Sequence, residues 1–300
     1  MNSSTTTPPK EGRPNKSPMP RELRDVLAPA KLNLFLHINA RRSDGYHLLQ
    51  SVFTLIDWCD VLHFEVSHTP QIKRIDLNTP LPEEDLIVRA ARLLQKVSKT
   101  TLGATISIEK HIPAQAGMGG GSSDAASTLL ALNQMWGLHW PVNQLLPLGI
   151  QLGADVPFFL QGRNAFAQGV GEQLTPIVVP KAQFLVLKPQ AGLETALIFN
   201  DPLLQRATKT VTIPDFAEAI LDFGHNDLEP VARKLCPEMS QALDWLKSLG
   251  LQPRMTGSGS AIFARLDPDV VVPEAPQHWQ IKICSNLEIH PLHEWISLDD

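Results

Sequence analysis

The stretch PAQAGMGGGSSDAAS (113–127) decides the fold. It follows a predicted strand, ATISIEK (104–110), and precedes a predicted helix, SSDAASTLLALNQMWG (122–137). Backbone N–H groups and the positive end of the helix dipole then face the same point, which favours an anion. Glycine lets the backbone approach a polyphosphate because no Cβ intervenes. The stretch therefore predicts a phosphate-binding loop.

Two other phosphate loops do not match this stretch. No lysine follows the glycines, so GxxxxGK[ST] is absent, and Ser122 replaces the last glycine of the dinucleotide pattern that Gly117 and Gly119 begin. Ser122 and Ser123 are expected to cap the helix and to bond phosphate oxygens. Asp124 suits the helix dipole and is interpreted as structural. A plain flexible turn stays open as an alternative for the loop taken alone.

Composition and charge argue against several classes of protein. The 300 residues carry a net charge of −5, which gives no reason to expect a nucleic-acid partner. No apolar run reaches the ~18 residues of a membrane span. Cys59, Cys236 and Cys284 lie far apart, and the ten histidines show no metal-ligand spacing, so neither a disulfide framework nor a metal site is predicted. We expect a cytoplasmic protein without a membrane partner.

The chain divides into a tail and two folded parts. Residues 1–25 are rich in Pro, Ser and Thr and are predicted to be a disordered tail. Pro176 and Pro180 flank an apolar run, which places a domain boundary there and predicts domains 26–175 and 176–300. The remaining apolar patterns predict strands at 32–38, 51–58, 61–66, 183–189, 255–266 and 280–287, and helices at 82–99, 143–153, 194–200 and 228–249. Pro237 is expected to interrupt the helix at 228–249, and Pro147 is expected either to bend the helix at 143–153 or to start it.

Five segments together resemble the GHMP kinases, the family of galactose, homoserine, mevalonate and phosphomevalonate kinases. They are the glycine loop, APAKLNLFLHINARRSDGYHLLQSVF (28–53), GADVPFFLQGRNAFAQGVGE (153–172), IFNDP (198–202) and RMTGSGSAIFA (254–264). The resemblance implies an α+β fold of two domains. The N-terminal domain would be S5-like and bind ATP, the C-terminal domain would be ferredoxin-like, and the active site would lie between them.

The segments resemble most closely the branch of the family that phosphorylates the 2-hydroxyl of 4-diphosphocytidyl-2-C-methyl-D-erythritol on the non-mevalonate route to isoprenoid precursors. This resemblance implies ATP and Mg²⁺ as cofactors and a small molecule carrying cytidine diphosphate as the substrate. Another GHMP kinase, acting on homoserine or mevalonate, stays open as an alternative, as does a catalytically silent binding protein of the same fold. The chain could be a monomer or a homodimer.

The resemblance assigns two catalytic residues, Lys31 and Asp155. Asp155 would accept the proton of the substrate hydroxyl and contact the substrate. Lys31 would keep that carboxylate ionised and offset charge on the moving phosphoryl group. Asn33 points to the same side of the predicted strand as Lys31 and is expected to contact the substrate. From spacing alone, Asp155 could equally be a helix cap and Lys31 an ordinary edge lysine.

Further residues are assigned to the two ligands by the same resemblance. Tyr46, the only tyrosine in the chain, and Phe199 would stack on the two faces of the cytosine ring, His47 would bond the base, and Thr195 would lie near the substrate phosphates. A second glycine turn at 257–260 would complete the site. The ATP-binding residues would be Lys110, through its backbone, with Pro113, Ala114, Gln115, Ala116, Gly117, Met118, Gly119, Gly120, Gly121, Ser122 and Ser123.

Overall fold

The computed structural model describes residues 20–296 as a mixed α/β structure. Its strands are β1 Glu22–Arg41, β2 His47–Ser67, β3 Ile72–Asp76, β4 Gly103–Glu109, β5 Ala165–Gln168, β6 Gln173–Pro176, β7 Gln183–Lys188, β8 Arg254–Met255, β9 Ile262–Arg265 and β10 Gln280–Leu287. Its α-helices are α1 Leu86–Ser98, α2 Gly120–Met135, α3 Val142–Leu152, α4 Val156–Gln161, α5 Thr195–Asn200, α6 Ile213–Phe216, α7 Glu229–Leu235 and α8 Pro237–Ser248. None of these helices has the length and apolar character that a membrane span requires.

Strand β2 is the centre of the sheet. The strand order is β3-β4-β2-β10-β7-β9-β8, while β1 and β5 also pair with β2 and β6 pairs with β5. The β1–β2 pair is a long antiparallel hairpin whose register shifts at four places, which bends it around the core. Strand β10 pairs with both β2 and β7, so it joins the two halves of the chain.

Three apolar clusters form the core. One lies between helices α1–α4 and the face of β2 and β4. A second lies between α7, α8 and strands β7 and β9. The third contains residues of β1, β2 and β7, and it also takes in Ala116 and Met118 of the glycine loop. The loop is therefore anchored in the core through its own side chains.

Several predicted boundaries differ from the structure. Residues 1–19 lie outside the described residues, but β1 begins at Glu22, so the predicted disordered tail is wrong for Glu22–Asp25. Glu22 pairs with Glu65 there, and the N–H of Val66 donates to the carbonyl of Arg21. Backbone pairing with β2 thus orders a segment that contributes little apolar surface.

Proline positions account for two helix boundaries. Pro237 interrupts the predicted helix, because α7 ends at Leu235 and α8 begins at Pro237, with Cys236 extended at φ −132°. Pro147 lies inside α3, which begins at Val142, so Pro147 does not start that helix. The predicted division into 26–175 and 176–300 falls inside β6 and stays a prediction.

Asp60 explains why the predicted strands 51–58 and 61–66 form the single strand β2. The carboxylate is fully buried, and its Oδ1 accepts from the N–H groups of His111 and Ile112 at 2.6 and 2.8 Å. Its Oδ2 pairs with Lys110, whose Nζ also lies 2.6 Å from Oδ2 of Asp124. The buried cluster of Asp60, Lys110 and Asp124 therefore ties β2 and the residues after β4 to Asp124, the fifth residue of α2.

The charges in this cluster depend on one another. Burial raises the pKa of Asp124 well above its usual value, and the attraction of Lys110 opposes this rise. Burial alone would lower the pKa of Lys110, but the carboxylates of Asp124 and Asp60 outweigh it and raise that pKa. The lysine is thus held as a cation between two buried acids.

We expect Lys110→Met to lower the free energy of unfolding at pH 7 by about 3–5 kcal/mol, because two buried carboxylates lose their counter-charge. Without the lysine, nothing opposes the rise that burial causes in the pKa of Asp124, so the variant regains stability as pH falls towards about 5. Urea unfolding at several pH values measures this. Lys73→Met removes the same charge from an exposed position and should change little. An equal loss at every pH would contradict the electrostatic account.

Candidate active site

The glycine loop packs directly on the second glycine turn. Gly117 has φ +71°, and a Cβ there would lie 2.3 Å from the carbonyl oxygen of Thr256 and 2.9 Å from the nitrogen of Gly259. A Cβ on Gly257, at φ +55°, would lie 2.6 Å from the carbonyl oxygen of Gly117. Any side chain would force the two backbones apart. The second glycine turn is also hydrogen-bonded to the segment that begins the glycine loop, since the N–H of Ser260 donates to the carbonyl of Gln115 at 3.1 Å.

The loop is joined to β1 next to Lys31. The N–H of Lys31 donates to the carbonyl of Met118 at 2.9 Å. A Cβ on Gly119 would lie 3.2 Å from Cγ of Lys31, so the loop covers the stem of this side chain. Ala116 and Met118 are buried in the core, which leaves only their backbone groups for a ligand.

The predicted serine caps of α2 are wrong. The helix begins at Gly120, and Gly119 occupies the N-cap position with φ +72°, a left-handed conformation that favours glycine. Ser122 therefore lies inside the first turn and lines the cavity described below. Ser123 is fully buried, and its Oγ has no hydrogen-bond partner among residues 20–296. Of the two hydroxyls, only that of Ser122 faces open space.

Lys31 and Asp155 form an ion pair, with Nζ 3.5 Å from Oδ2. The Lys31 side chain is 4% exposed, whereas that of Asp155, directly before α4, is 32% exposed and lines the cavity. Lys31 Nζ also donates to Oδ1 of Asn33 at 2.5 Å and lies 4.5 Å from the centre of the Phe53 ring. A buried cation thus faces a carboxylate that is open to a ligand.

Asn33 is held by groups on both sides. Its Nδ2 donates to Oγ of Ser51 at 2.8 Å, and its backbone N–H donates to Oγ1 of Thr256 at 2.9 Å. Ser51 in turn donates to the carbonyl of Phe35 at 2.5 Å. Lys31 and Asn33 both line the cavity, as alternation along the strand predicts. The network fixes Lys31 relative to the second glycine turn.

A cavity of about 640 Å³ brings these parts together. The cavity is lined by the catalytic candidates, the glycine loop, the second glycine turn and residues around α5. Its polar lining is Lys31, Asn33, Gln115, Ser122, Asp155, Glu194, Thr195 and Ser258. Thr195 and Ser258 are hydrogen-bonded to each other through their hydroxyls at 2.7 Å.

A second cavity, of about 600 Å³, continues the first. Leu49, Ala154, Val170, Thr195 and Phe199 line both. The second cavity is also lined by Arg41, Asp44, Gly45, Tyr46, His47 and Asn200. The two cavities together extend from the Lys31–Asp155 pair to Tyr46.

The aromatic residues of the second cavity are arranged unequally. Phe199 contacts the His47 ring, with centroids 5.1 Å apart and planes tilted by 36°. Tyr46 is 64% exposed at the rim, in a turn that Gly45 permits with φ +91°. Burial and the cations Arg206 and Arg41 lower the pKa of His47. Tyr46 and Phe199 thus both line this cavity.

Some candidate ligands of ATP lie away from the open cavities. The Lys110 ammonium is occupied by Asp60 and Asp124, and its backbone N–H and carbonyl are both bonded to the Asn78 side chain at 2.9 Å. The contact of the Lys110 backbone with a nucleotide stays a prediction. Pro113 and Ala114 belong to the turn before the glycines and line neither cavity.

Sequence reasoning missed Asp60, Thr256 and Arg206. Asp60 left a signal, because an acid in the middle of an apolar strand pattern must be paired. Thr256 precedes the second glycine turn and left none of its own. Arg206 lies in an irregular segment and donates a hydrogen bond to His47, which is 159 positions away in the chain. No local sequence pattern therefore marks Arg206.

Comparisons with known proteins agree with this geometry. The family model described as "GHMP kinases N terminal domain" matches residues 85–163, and "GHMP kinases C terminal" matches residues 205–281. The 4-diphosphocytidyl-2-C-methyl-D-erythritol kinase of Albidiferax ferrireducens is 58% identical over 93% of this chain and 97% of its own. That of Polaromonas naphthalenivorans is 59% identical over 94% and 99%.

The chain belongs to the 4-diphosphocytidyl-2-C-methyl-D-erythritol kinase family of GHMP kinases. A crystal structure of 4-(cytidine 5'-diphospho)-2C-methyl-D-erythritol kinase matches with a TM-score of 0.73 and 34% identity, covering 88% of this chain and 98% of the other. A homoserine kinase from Cytophaga hutchinsonii matches with a TM-score of 0.65 at 15% identity, over 93% and 98%, and shows the common fold alone.

Membership confirms several predictions made from the sequence. The α+β GHMP kinase fold is confirmed, and the chain is an ATP-dependent kinase. The silent binding protein of the same fold is not supported. The roles of the individual site residues are a separate matter and stay predictions.

We expect Gly117→Ala in this GHMP kinase to abolish detectable ATP binding, because its Cβ would separate the glycine loop from the second glycine turn. Calorimetric titration with a non-hydrolysable ATP analogue measures it. Gly250→Ala is the matched control: Gly250 also has positive φ, +78°, but a Cβ there meets nothing within 4 Å. Gly250→Ala should lose about 1 kcal/mol of stability from its positive φ alone, and Gly117→Ala should lose more, because its Cβ also displaces the second glycine turn. Unchanged ATP affinity in Gly117→Ala would refute the packing argument.

Proposed function

We propose that the chain transfers the γ-phosphoryl group of ATP to the 2-hydroxyl of 4-diphosphocytidyl-2-C-methyl-D-erythritol. One observation carries this proposal: the Lys31–Asp155 pair lies in a cavity bounded by the glycine loop and continuous with an aromatic-lined cavity. The relatives at 58% and 59% identity are named for this substrate, which supports the same assignment.

The donor binds at the glycine loop in this proposal. The backbone from Gly117 to Gly121 and the start of α2 offer N–H groups and a partial positive charge to the triphosphate. Loop and helix are held in place by the core and by the second glycine turn, so the groups are oriented before ATP arrives. Preorganised donors cost no rearrangement during the reaction.

Asp155 is the proton acceptor. As the oxygen of the substrate hydroxyl forms its bond to the γ-phosphorus, the bond from that phosphorus to the β,γ-bridging oxygen breaks and ADP leaves. The hydroxyl proton passes to the Asp155 carboxylate. Lys31 keeps the carboxylate ionised and offsets negative charge near the transferred group.

The cytidine part of the substrate occupies the second cavity. The ring lies between Tyr46 and Phe199, and His47 bonds its edge. Asn33 contacts the sugar alcohol, and Thr195 lies near the diphosphate. Two aromatic faces favour a flat heterocycle, which neither homoserine nor mevalonate carries.

Mg²⁺ is part of the proposal. This cation prefers oxygen ligands, keeps several waters and is held largely by substrate phosphates. The Ser122 hydroxyl, on the loop side of the cavity, is the protein oxygen that fits this need. The ion would neutralise charge on the phosphates. A cytoplasmic location is also proposed, and it is supported by three free cysteines that form no disulfide.

A coupled assay of ADP release tests the function, with the cytidyl substrate, mevalonate and homoserine at equal concentrations. We expect turnover with the cytidyl compound to exceed that with either other acceptor by at least about 10³-fold, because the buried polar groups of the base site stay unpaired with the others. Comparable turnover of mevalonate or homoserine would refute the substrate assignment.

A second experiment tests the proton acceptor. Asp155→Asn should lower kcat by about 10²–10⁴-fold, since the amide cannot take the proton, while KM for ATP changes little. Asp244→Asn, an exposed position on α8 with a 67% exposed side chain, serves as the matched control. Full turnover by Asp155→Asn would show that Asp155 is not the proton acceptor, and it would leave the substrate assignment unaffected.

A further inference from the structure

Arg206 occupies a position that no motif in the sequence marks. It lies after α5, in the segment between Asp201 and Thr208, and its guanidinium makes four hydrogen bonds. Nε donates to Nε2 of His47 at 3.1 Å, and Nη1 donates to the carbonyl of Leu204 at 3.0 Å. Nη2 donates to the carbonyls of Phe199 and Asp201 at 3.1 and 2.8 Å. One side chain thus ties the end of α5 to the first residue of β2.

We propose that Arg206 is a positioning residue for base recognition, which holds the His47 ring with its proton on Nδ1 and holds Phe199 against that ring. The second cavity would then present one fixed hydrogen-bond donor and one fixed aromatic face to the pyrimidine base. That the ligand is a pyrimidine rests on the proposed function; the link between Arg206 and His47 does not.

The direction of the Arg206–His47 hydrogen bond sets the tautomer. A guanidinium has only donors, so Nε2 of His47 must accept and cannot carry a proton. A neutral imidazole has one protonated nitrogen, and its proton is therefore on Nδ1. Without Arg206, the two neutral tautomers would both be accessible, and a donor at Nδ1 would be present for only part of the time.

The charges around His47 keep the ring neutral. Burial lowers its pKa, and the cations Arg206 and Arg41 lower it further. The nearest acid that lines the same cavity, Asp44, is engaged by Arg42 and by the N–H of Tyr46. A second proton on the ring would also place a hydrogen against the Nε–H of Arg206. The neutral Nδ1–H form is thus favoured by both geometry and charge.

The same guanidinium determines where Phe199 lies. Phe199 is the next-to-last residue of α5, where backbone carbonyl groups lack partners within the helix. Nη2 of Arg206 donates a hydrogen bond to the Phe199 carbonyl. The Phe199 and His47 rings lie 5.1 Å apart, so moving either residue moves the contact between them. Arg206 therefore couples the stacking surface to the hydrogen-bonding edge.

A fixed donor has a consequence for specificity. A base that offers an acceptor at this point is bound, whereas one that offers a donor leaves two N–H groups facing each other without partners. Cytosine offers acceptors at N3 and O2, and uracil carries a proton on N3. The locked tautomer is therefore suited to select between otherwise similar pyrimidines.

The tautomer is tested first, in the ligand-free enzyme, by nitrogen–proton NMR correlation of the histidine rings. We expect His47 to show a protonated Nδ1 and an unprotonated Nε2 at pH 7. In Arg206→Met, we expect averaged tautomers and a pKa that moves up towards about 6.5. Lys209→Met removes one charge from an exposed position on the same segment and should leave the His47 signals unchanged. A proton on Nε2 in the wild type overturns the inference, whatever the substrate.

Steady-state kinetics test the consequence for binding. Arg206→Met should raise KM for the cytidyl substrate by about 10–100-fold, with kcat and KM for ATP within about twofold. The rise should shrink as pH falls from about 8 to about 6, because the pKa of His47 is higher in the variant, and its ring then gains the Nδ1 hydrogen that the wild-type ring already carries. A KM defect that is equal at every pH would mean that Arg206 acts only by holding the backbone of its segment.

A double-mutant cycle separates positioning from general loss of structure. In a His47→Ala background, Arg206→Met should add less than about threefold to KM, since the residue it acts through is gone. Additive effects would overturn the inference. Arg206→Lys keeps the charge but not the planar fork, so it should be folded and show an intermediate KM. If the wild-type enzyme shows no turnover of the cytidyl substrate while His47 carries its proton on Nδ1, the proposed function is wrong and the link between Arg206 and His47 still holds.

Discussion

The contact between Gly117 and Gly257 is the constraint on which the site depends. The carbonyl of Gly117 occupies the space where a side chain on Gly257 would lie, and the carbonyl of Thr256 occupies the space where a side chain on Gly117 would lie. Thr256 also bonds the backbone of Asn33, which bonds Lys31. Loop, second turn and β1 are therefore joined into one unit by backbone packing, and the buried hydrogen bonds of Thr256 and Asn33 then fix the lysine ammonium relative to the loop.

This unit is supported from beneath by charge and by apolar packing. The cluster of Asp60, Lys110 and Asp124 holds the N-terminal part of α2 at Asp124, while Ala116 and Met118 lie in the core. The N-terminus of α2 is thus presented to the cavity without depending on the nucleotide. On the other wall, Arg206 performs a comparable task for the aromatic cavity. A rigid frame with two separately supported walls suits a reaction in which alignment supplies most of the rate enhancement.

The sequence allowed some features to be predicted and not others, for physical reasons. The glycine loop, α2 and the alternation that places Lys31 and Asn33 on one side follow from local rules. The approach of Asp155 to Lys31 came from the family resemblance, because the two are brought together by tertiary packing alone. The start of α2 was misjudged by two residues, since Gly119 takes the N-cap position that serine usually fills. Asp60 and Arg206 act through distant partners, so neither could be given a role before the structure was known.

In the proposed function, two ligands meet at the Lys31–Asp155 pair, one held by the glycine loop and the other by the aromatic cavity. A crystal structure with a non-hydrolysable ATP analogue and the cytidyl substrate tests this claim most directly. It should show the triphosphate against the backbone of Gly117–Gly121, the base between Tyr46 and Phe199, and the acceptor hydroxyl within about 3.2 Å of the Asp155 carboxylate. A base bound outside the aromatic cavity, or a hydroxyl out of reach of Asp155, would contradict it.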